Sequence, residues 1–333
     1  MSKINSTDIA NILNISQASI SRAFNKNSSM THHKRRAILK CCIENSYRRD
    51  KAKIILETEN PTRIAFLLNE LHNPFFSWLL NAFSEVISQH KQYRLEIHIV
   101  QNKDEDSLRD LLSSLKRSGV EGIIAASLLA DSQLPYVTAE MKIPLIAINR
   151  SIDHKYTSCV TADNYKNAYR VAEILHKKGH TNFTFISDNK RIGTIKDRLD
   201  GIMQYIKDND IAPLHIIQCD TSYDGAYEET TLAYKALMKN KTTAVIGGND
   251  IMAIGAMDSL RHENNISVPQ NIAFMGFDDI PMASWKAYQL STVRQRVNLM
   301  SREAFETLEI ILTENVSGLL RKSQGKIILR SSV

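Results

Sequence analysis

The stretch Asp8-Ile9-Ala10-Asn11-Ile12-Leu13-Asn14-Ile15-Ser16-Gln17-Ala18-Ser19-Ile20-Ser21-Arg22-Ala23-Phe24-Asn25 reads as two short apolar-periodic segments hinged at Leu13-Asn14-Ile15. In the first, Ile9, Ala10 and Leu13 share a helical face; in the second, Ala18, Ile20, Ala23 and Phe24 offer apolar groups to meet it. Neither segment can bury its stripe alone, so the pattern predicts a helix-turn-helix. The turn needs a residue that tolerates positive φ, which Asn14 does, and Ser16 is placed to cap the second helix. Gln17, Ser19, Ser21 and Arg22 remain as a polar face without a carboxylate, which a phosphate-lined groove would tolerate. An ordinary solvated helical hairpin has the same local pattern, and the surrounding chain has to decide between them.

Charge decides part of it. The formal net charge of the 333 residues is +6, and residues 1 to 60 carry eleven Lys and Arg against five Asp and Glu, so the whole excess sits there. That is the asymmetry of a nucleic-acid-binding head on a neutral body. Downstream, Thr31 can cap a third helix to about Tyr47. Ala37, Ile38, Cys41, Cys42 and Ile43 would close a three-helix core, with Lys34, Arg35, Arg36 and Lys40 outside. Cys41, Cys42, Cys159 and Cys219 lack metal-ligand spacing and read as reduced thiols. No apolar leader and no run of about 18 apolar residues occurs, so a cytoplasmic protein with no membrane partner is expected.

Residues 48–60 read as a linker holding one helix-compatible piece, Asp50 to Glu57, before Pro61. From Arg63, short apolar runs such as Ile64–Leu68, Leu95–Val100, Gly122–Ala125, Leu145–Ile148, Phe183–Ile186, Ala244–Ile246 and Ile272–Met275 alternate with amphipathic helical segments. Such β-α alternation predicts parallel sheets covered by helices. Roughly 270 residues of it exceed what one open sheet usually holds, so an α/β body of two lobes is expected, with a ligand cleft beyond the strands' carboxyl ends. The division is 1–47 head, 48–60 linker and 61–333 body.

These motifs together resemble the lactose repressor/galactose repressor (LacI/GalR) family of bacterial transcription regulators. The resemblance rests on Asp8-Ile9-Ala10, Ile15-Ser16, Ile20-Ser21-Arg22, Asn25 and Tyr47-Arg48 in the head. In the body it rests on Asn73-Pro74-Phe75-Phe76, Asp163-Asn164, Gly179-His180, Arg198-Leu199, Gly201, Asn249–Ala256, Val268-Pro269, Gly276–Pro281 and Thr292–Gln295. It implies a helix-turn-helix DNA-binding head, a hinge helix in the linker and a periplasmic-binding-protein-like body that holds a small molecule and forms a homodimer on a roughly palindromic operator. Gln17, Ala18 and Arg22 match the family's base-reading positions, where an Arg can fork onto guanine and a Gln can read adenine. Ser16, Ser19, Ser21 and Asn25 match phosphate or cap positions. Leu56 falls on the minor-groove wedge and Asp50 on the hinge-helix cap, while Arg49, Lys53 and Ile54-Ile55 depart from the family's hinge pattern.

For the effector, the resemblance carries over Asp278, Arg198 and Asn249 as polar contacts, Asn149 where an aspartate is usual, and Phe75 and Phe76 as aromatics that can stack on a sugar. Tyr223 is a further aromatic candidate. Carbohydrate is expected ahead of a nucleobase or phosphosugar, and no cofactor or metal is implied. An enzyme is disfavoured. Asp278 and Asp279, adjacent at a strand end, should diverge, His32 and His33 should face phosphate or solvent, and no nucleophile elbow or phosphate-cradling loop occurs. A solute-binding protein would share the body but not the basic head. Leu319–Val333 is basic without a heptad, so tetramerisation through it is not expected.

Overall fold

The computed structural model describes residues 4–25, 28–58, 61–69, 71–100, 104–126, 132–189, 193–314 and 316–333. The head comprises α1 (Ser6–Ile12), α2 (Gln17–Ala23), α3 (His32–Glu44) and α4 (Arg49–Thr58). Asn5 and Asp8 form a capping box on α1, and Ser16 caps α2 by accepting from the Ser19 amide. Asn14 turns the chain between them at φ +49°, as the sequence requires. Ile9, Ala10, Ile20, Ala23, Ile38 and Leu39 form the buried centre.

Two features of the head differ from expectation. Arg35 is only 3% exposed rather than outside. Its guanidinium donates to the Asn25 carbonyl and the Ser28 hydroxyl at 2.7 Å each, stitching the loop before α3 onto that helix. The linker is also not free of the core: Ala52 of α4 is fully buried in the head, with Ile55 and Leu56 packed against it, while Ile54 is 63% exposed.

The body has two six-stranded sheets. In chain order the elements are β1 (Thr62–Leu68), α5 (Pro74–Ser88), β2 (Tyr93–Ile99), α6 (Glu105–Arg117), β3 (Val120–Ala126), α7 (Leu134–Glu140), β4 (Leu145–Ile148) and β5 (Thr157–Ala162). There follow α8 (Asn164–Lys177), β6 (Phe183–Asp188), α9 (Gly193–Asp208), β7 (His215–Cys219), α10 (Tyr223–Lys239), β8 (Ala244–Gly247), α11 (Asp250–Asn264) and β9 (Ala273–Asp278). The chain closes with β10 (Ser291–Arg294), α12 (Val297–Glu314), β11 (Leu320–Ser323) and β12 (Lys326–Ile328). The first sheet has the order β11-β5-β4-β3-β1-β2 and is parallel throughout. The second has the order β12-β10-β9-β8-β6-β7 and is parallel except where β12 pairs with β10.

Helices cover both faces of the first sheet. Ile64, Phe66 and Leu68 of β1 pack towards Leu79 and Phe83 of α5, while Ala65 and Leu67 pack with Leu108, Leu112 and Leu115 of α6. That alternation within one apolar run is the period-2 geometry of a strand buried on both sides. In the second lobe two helix pairs cross on a glycine. A Cβ at Gly201 of α9 would lie 2.2 Å from the Tyr165 carbonyl oxygen of α8, and one at Gly255 of α11 would lie 2.3 Å from that of Tyr223 in α10.

The chain passes between the sheets three times: from β5 into α8, from β10 into α12, and from β11 into β12. The Asp163 amide donates to the Ser323 carbonyl and the Gly325 amide to Asn167 Oδ1, so the first and third crossings are bonded to each other. Among the described residues, no helix is long and apolar enough to cross a membrane.

Candidate nucleic-acid and effector sites

On α2, Gln17, Ala18, Ser21 and Arg22 are exposed, as are Ser16 and Asn25 at its two ends. Ser19 is not: it is 5% exposed, its hydroxyl 3.0 Å from that of Ser16 and accepting from Arg22 Nη2 at 3.3 Å. The Gln17 amide donates to Ser6 Oγ at 2.8 Å and Arg22 Nε to the Ala18 carbonyl at 3.4 Å. These bonds hold both long side chains on the exposed face of α2. Leu56 is half-buried against the head core, so a minor-groove insertion would require it to leave that packing.

The amino end of α3 faces the body rather than solvent. Glu121, at the start of β3, accepts from the His32 amide at 2.8 Å and the His33 amide at 3.2 Å. The His33 ring bridges Thr313 Oγ1 at 2.8 Å and the Tyr93 hydroxyl at 3.0 Å, and Tyr93 donates to Glu309. The expectation that His32 and His33 both face phosphate or solvent is therefore corrected for His33. Burial, then repulsion from Lys40 and Arg36, pushes the His33 imidazole down to about 4.

A depressed histidine pKa means that the undocked state takes up a proton first. Docking of the head is therefore at full strength above the ordinary histidine range and is expected to weaken as pH falls from there towards about 4. Glu121 acts in the opposite sense, because burial raises its carboxyl and acid relieves that cost, but only nearer the carboxylate range. Protection factors of the His32 and His33 amides, corrected for intrinsic exchange, should fall between pH 7 and 5. Unchanged protection would contradict the docking role of His33.

In the body, the effector candidates collect at strand carboxyl ends. Asn149 follows β4, Asn249 follows β8 and Asp278 ends β9, while Phe75 and Phe76 open α5 after β1. Asn149 holds φ +59° and its Oδ1 is buried without a partner; Asp278 holds φ +118°. Such backbones are costly for a non-glycine residue and tend to mark functional positions. Arg198 and Asp278 form a buried ion pair at 3.3 Å. The other guanidinium nitrogens donate to Asn164 Oδ1 at 2.9 Å and the Gly248 carbonyl at 2.6 Å, and the guanidinium stacks 4.5 Å over Phe277. Gln295 donates to Asp278.

Asp250 completes this cluster, accepting from the Ile280 amide at 2.9 Å and the Thr292 hydroxyl at 2.5 Å. Burial, then the neighbouring Asp278 charge, pushes the Asp250 carboxyl well up; burial raises Asp278 too, against the pull of Arg198. Two carboxyls share one cation in a dry site, and burial together with their mutual repulsion raises both. Asp279 turns away and accepts from Arg294 at 2.5 Å and Arg330 at 2.6 Å. The adjacent carboxyls thus serve separate networks, as their alternation predicts, and do not make an acid/base pair.

Other candidates sit less openly. Phe75 is 1% exposed and belongs to the core, and half-buried Phe76 packs against that core, edge-on to Phe75 at 5.6 Å. Asn249 caps α11, accepting from the Met252 amide at 2.9 Å. The Tyr223 hydroxyl is tied to Asp258 at 2.9 Å. Gln295 was named in the sequence only as part of a motif; its place beside Asp278 on a crossing segment depends on long-range pairing of β10 with β9, which no local pattern reveals.

Comparison with known proteins fits this geometry. Residues 61–315 match the family model described as periplasmic binding proteins and sugar binding domain of the LacI family. A ribose operon repressor of Halalkalibacterium halodurans is 27% identical over 295 residues, covering 87% of this chain and 85% of its own. The transcriptional regulator GalR of Escherichia coli is 25% identical over 309 residues, covering 92% and 89%. Among solved structures, the regulator CelR in complex with cellobiose superposes with a TM-score of 0.72 at 19% identity over 99% of this chain and 100% of that one. The Lac repressor bound to ONPG gives 0.73 at 19% identity over 99% of each. With the match spanning both lobes and the relatives extending through the head, the chain belongs to the LacI family of transcriptional regulators.

Proposed function

We propose that this regulator is a non-enzymatic, cytoplasmic repressor that binds a roughly palindromic operator as a homodimer and releases or tightens its grip when a sugar or sugar derivative enters between the lobes. The observation that carries this reading is the pairing of a basic head, whose recognition helix shows no carboxylate, with a buried polar cluster at the carboxyl ends of strands in both lobes. Residues 1–47 act as the head, 48–60 as the hinge and 61–333 as the effector and dimerisation body. Gln17, Ala18 and Arg22 read bases; Ser16, Ser21 and Asn25 position the backbone, and Ser19 supports Arg22. The printed names of similar proteins, a ribose operon repressor and a cellobiose-bound regulator, support carbohydrate as the ligand class.

The cluster also supports a route from ligand to DNA. Arg198 bonds to Asn164 on the first crossing and Asp278 bonds to Gln295 on the second. A ligand that takes either charge loosens the pins on two of the three crossings, which changes the lobe angle and thereby the spacing of paired heads.

A thermal-shift screen of sugars, sugar phosphates and purines tests the site. A stabilising sugar should lose its effect in Asp278→Ala and in the gentler Asp278→Asn; a shift that persists in both would remove Asp278 from the effector site. Operator affinity should fall by about 10³-fold or more between 50 and 200 mM salt if six or more phosphates are contacted. Salt-insensitive binding would contradict the head's assignment.

A further inference from the structure

The loop after β4 carries a cation that the Arg198 cluster leaves out. Arg150 is 5% exposed, and its Nε and Nη1 are buried without any hydrogen-bond partner. Burial pushes the guanidinium down to about 10, with Asp188 at the end of β6 pulling the other way, so it remains charged at neutral pH. A buried guanidinium with unused donors is costly, and proteins keep such groups where something binds them.

Arg150 lines a cavity of about 280 Å³. The first lobe supplies Arg150, Tyr136 and His154, and the second supplies Gly193, the first described residue of α9. The lobes meet closely here: a Cβ on Gly193 would lie 3.9 Å from the Ser151 carbonyl oxygen. The described amino end of α9 therefore opens on the same cavity that Arg150 lines. Tyr136, 60% exposed, stands at the rim with its ring 4.9 Å from that of His154. Asp153, on the exposed side of the lining, is the one opposing charge among the described lining residues. The volume is at the low end for ligand pockets, suited to a monosaccharide-sized acid.

We propose that Arg150 and the amino end of α9 form an anion-binding corner of the interlobe cleft, and that the effector is a small acidic sugar whose carboxylate or phosphate seats there with its ring against Tyr136. The proposal deepens the effector reading above and rests on it. Because the anion would bridge Arg150 in one lobe and α9 in the other, binding would hold the lobes together at this edge.

The test is calorimetric titration of the full chain with matched sets: glucose, glucuronate and glucose 6-phosphate; galactose and galacturonate; ribose and ribose 5-phosphate. At least one acid should bind, with its neutral counterpart weaker by roughly tenfold or more, the scale of a lost hydrogen bond to a charged group. Arg150→Gln should abolish that preference and Arg150→Lys should restore part of it. Since Nε and Nη1 are buried without hydrogen-bond partners, Arg150→Gln should melt no lower than the unmodified chain, separating lost binding from misfolding. The carboxylate and phosphate arms identify which acid is used. A neutral sugar that binds as well as its acid, ignores Arg150→Gln and fails with Asp278→Asn would overturn the anion corner while leaving the effector site standing. Acid binding untouched by Arg150→Gln, or an unmodified chain that binds none of the acids, would also overturn it.

Discussion

Replacing Arg198 by methionine is expected to destabilise the body by about 3–5 kcal/mol at neutral pH, the range for breaking a buried ion pair by removing one partner. The expectation follows from the composition of the cluster. Arg198 is 3% exposed and is the cation beside Asp278 and Asp250, both buried. It also supplies the donors to Asn164 and Gly248. Without it, both carboxyls are pushed further above their ordinary range.

The sign of the pH dependence follows from those shifts. A carboxyl whose folded pKa is raised contributes its stability below the unfolded value and loses it as pH rises through the folded value. The deficit of Arg198→Met should therefore be smallest near pH 4 and grow towards pH 8. Melting curves should show a drop on the order of 10 °C at pH 7, at about 2–4 °C per kcal/mol for a body of this size. A deficit under about 1 kcal/mol that does not vary with pH would show that the pair is solvated in solution.

The second large effect concerns the operator. Arg22→Ala should weaken binding by about 2–6 kcal/mol, taking about 1–3 kcal/mol per guanine contact and two heads per operator. The loss should be confined to operator sequence: affinity for unrelated DNA should change little, and discrimination should relax at one base pair in each half-site. Equal losses on operator and unrelated DNA would recast Arg22 as a phosphate clamp. Leu56→Ala makes a companion case. It should cut operator affinity far more than non-specific affinity if the leucine wedges a base step. Because Leu56 also packs on the head core, the melting curve of the variant must accompany the binding curve; equal losses on both DNAs would rule out the wedge.

The elements legible in the sequence are those whose local pattern agrees with their tertiary role. Asn14, Ser16 and the buried Ile9, Ala10, Ile20 and Ala23 sit where periodicity and cap chemistry put them. The strands legible in the sequence are those with large apolar runs. β5, with the sequence Thr-Ser-Cys-Val-Thr-Ala, was not among them although all six residues are buried. It lies between β4 and β11, so its polar side chains are enclosed by partners that arrive from elsewhere in the chain. β10, β11 and β12 were missed for a similar reason: they are three or four residues long and join sheets begun far upstream.

The sites divide in the same way. Asp278, Arg198 and Asn149 are legible in the sequence as candidates through the family resemblance. Their neighbours Gln295 and Arg150 gained meaning only once the strands were assembled. Arg150 had one usable signal, its place directly after Asn149, a residue type that tolerates the positive φ found there. Glu121 at the amino end of α3 had none, since 88 residues separate it from His33.

The two halves of the molecule differ in how their cores relate to chain order. The head buries residues drawn from one unbroken segment, Ile9 to Leu56, whereas each lobe is assembled from pieces of chain that leave and return. The lobes thus cannot be separated or exchanged by a single cut, whereas the head core is one contiguous block of chain. A chimera joined at residue 60 should keep the operator of its head and the ligand of its body, provided that the recipient supplies a carboxylate where Glu121 meets α3.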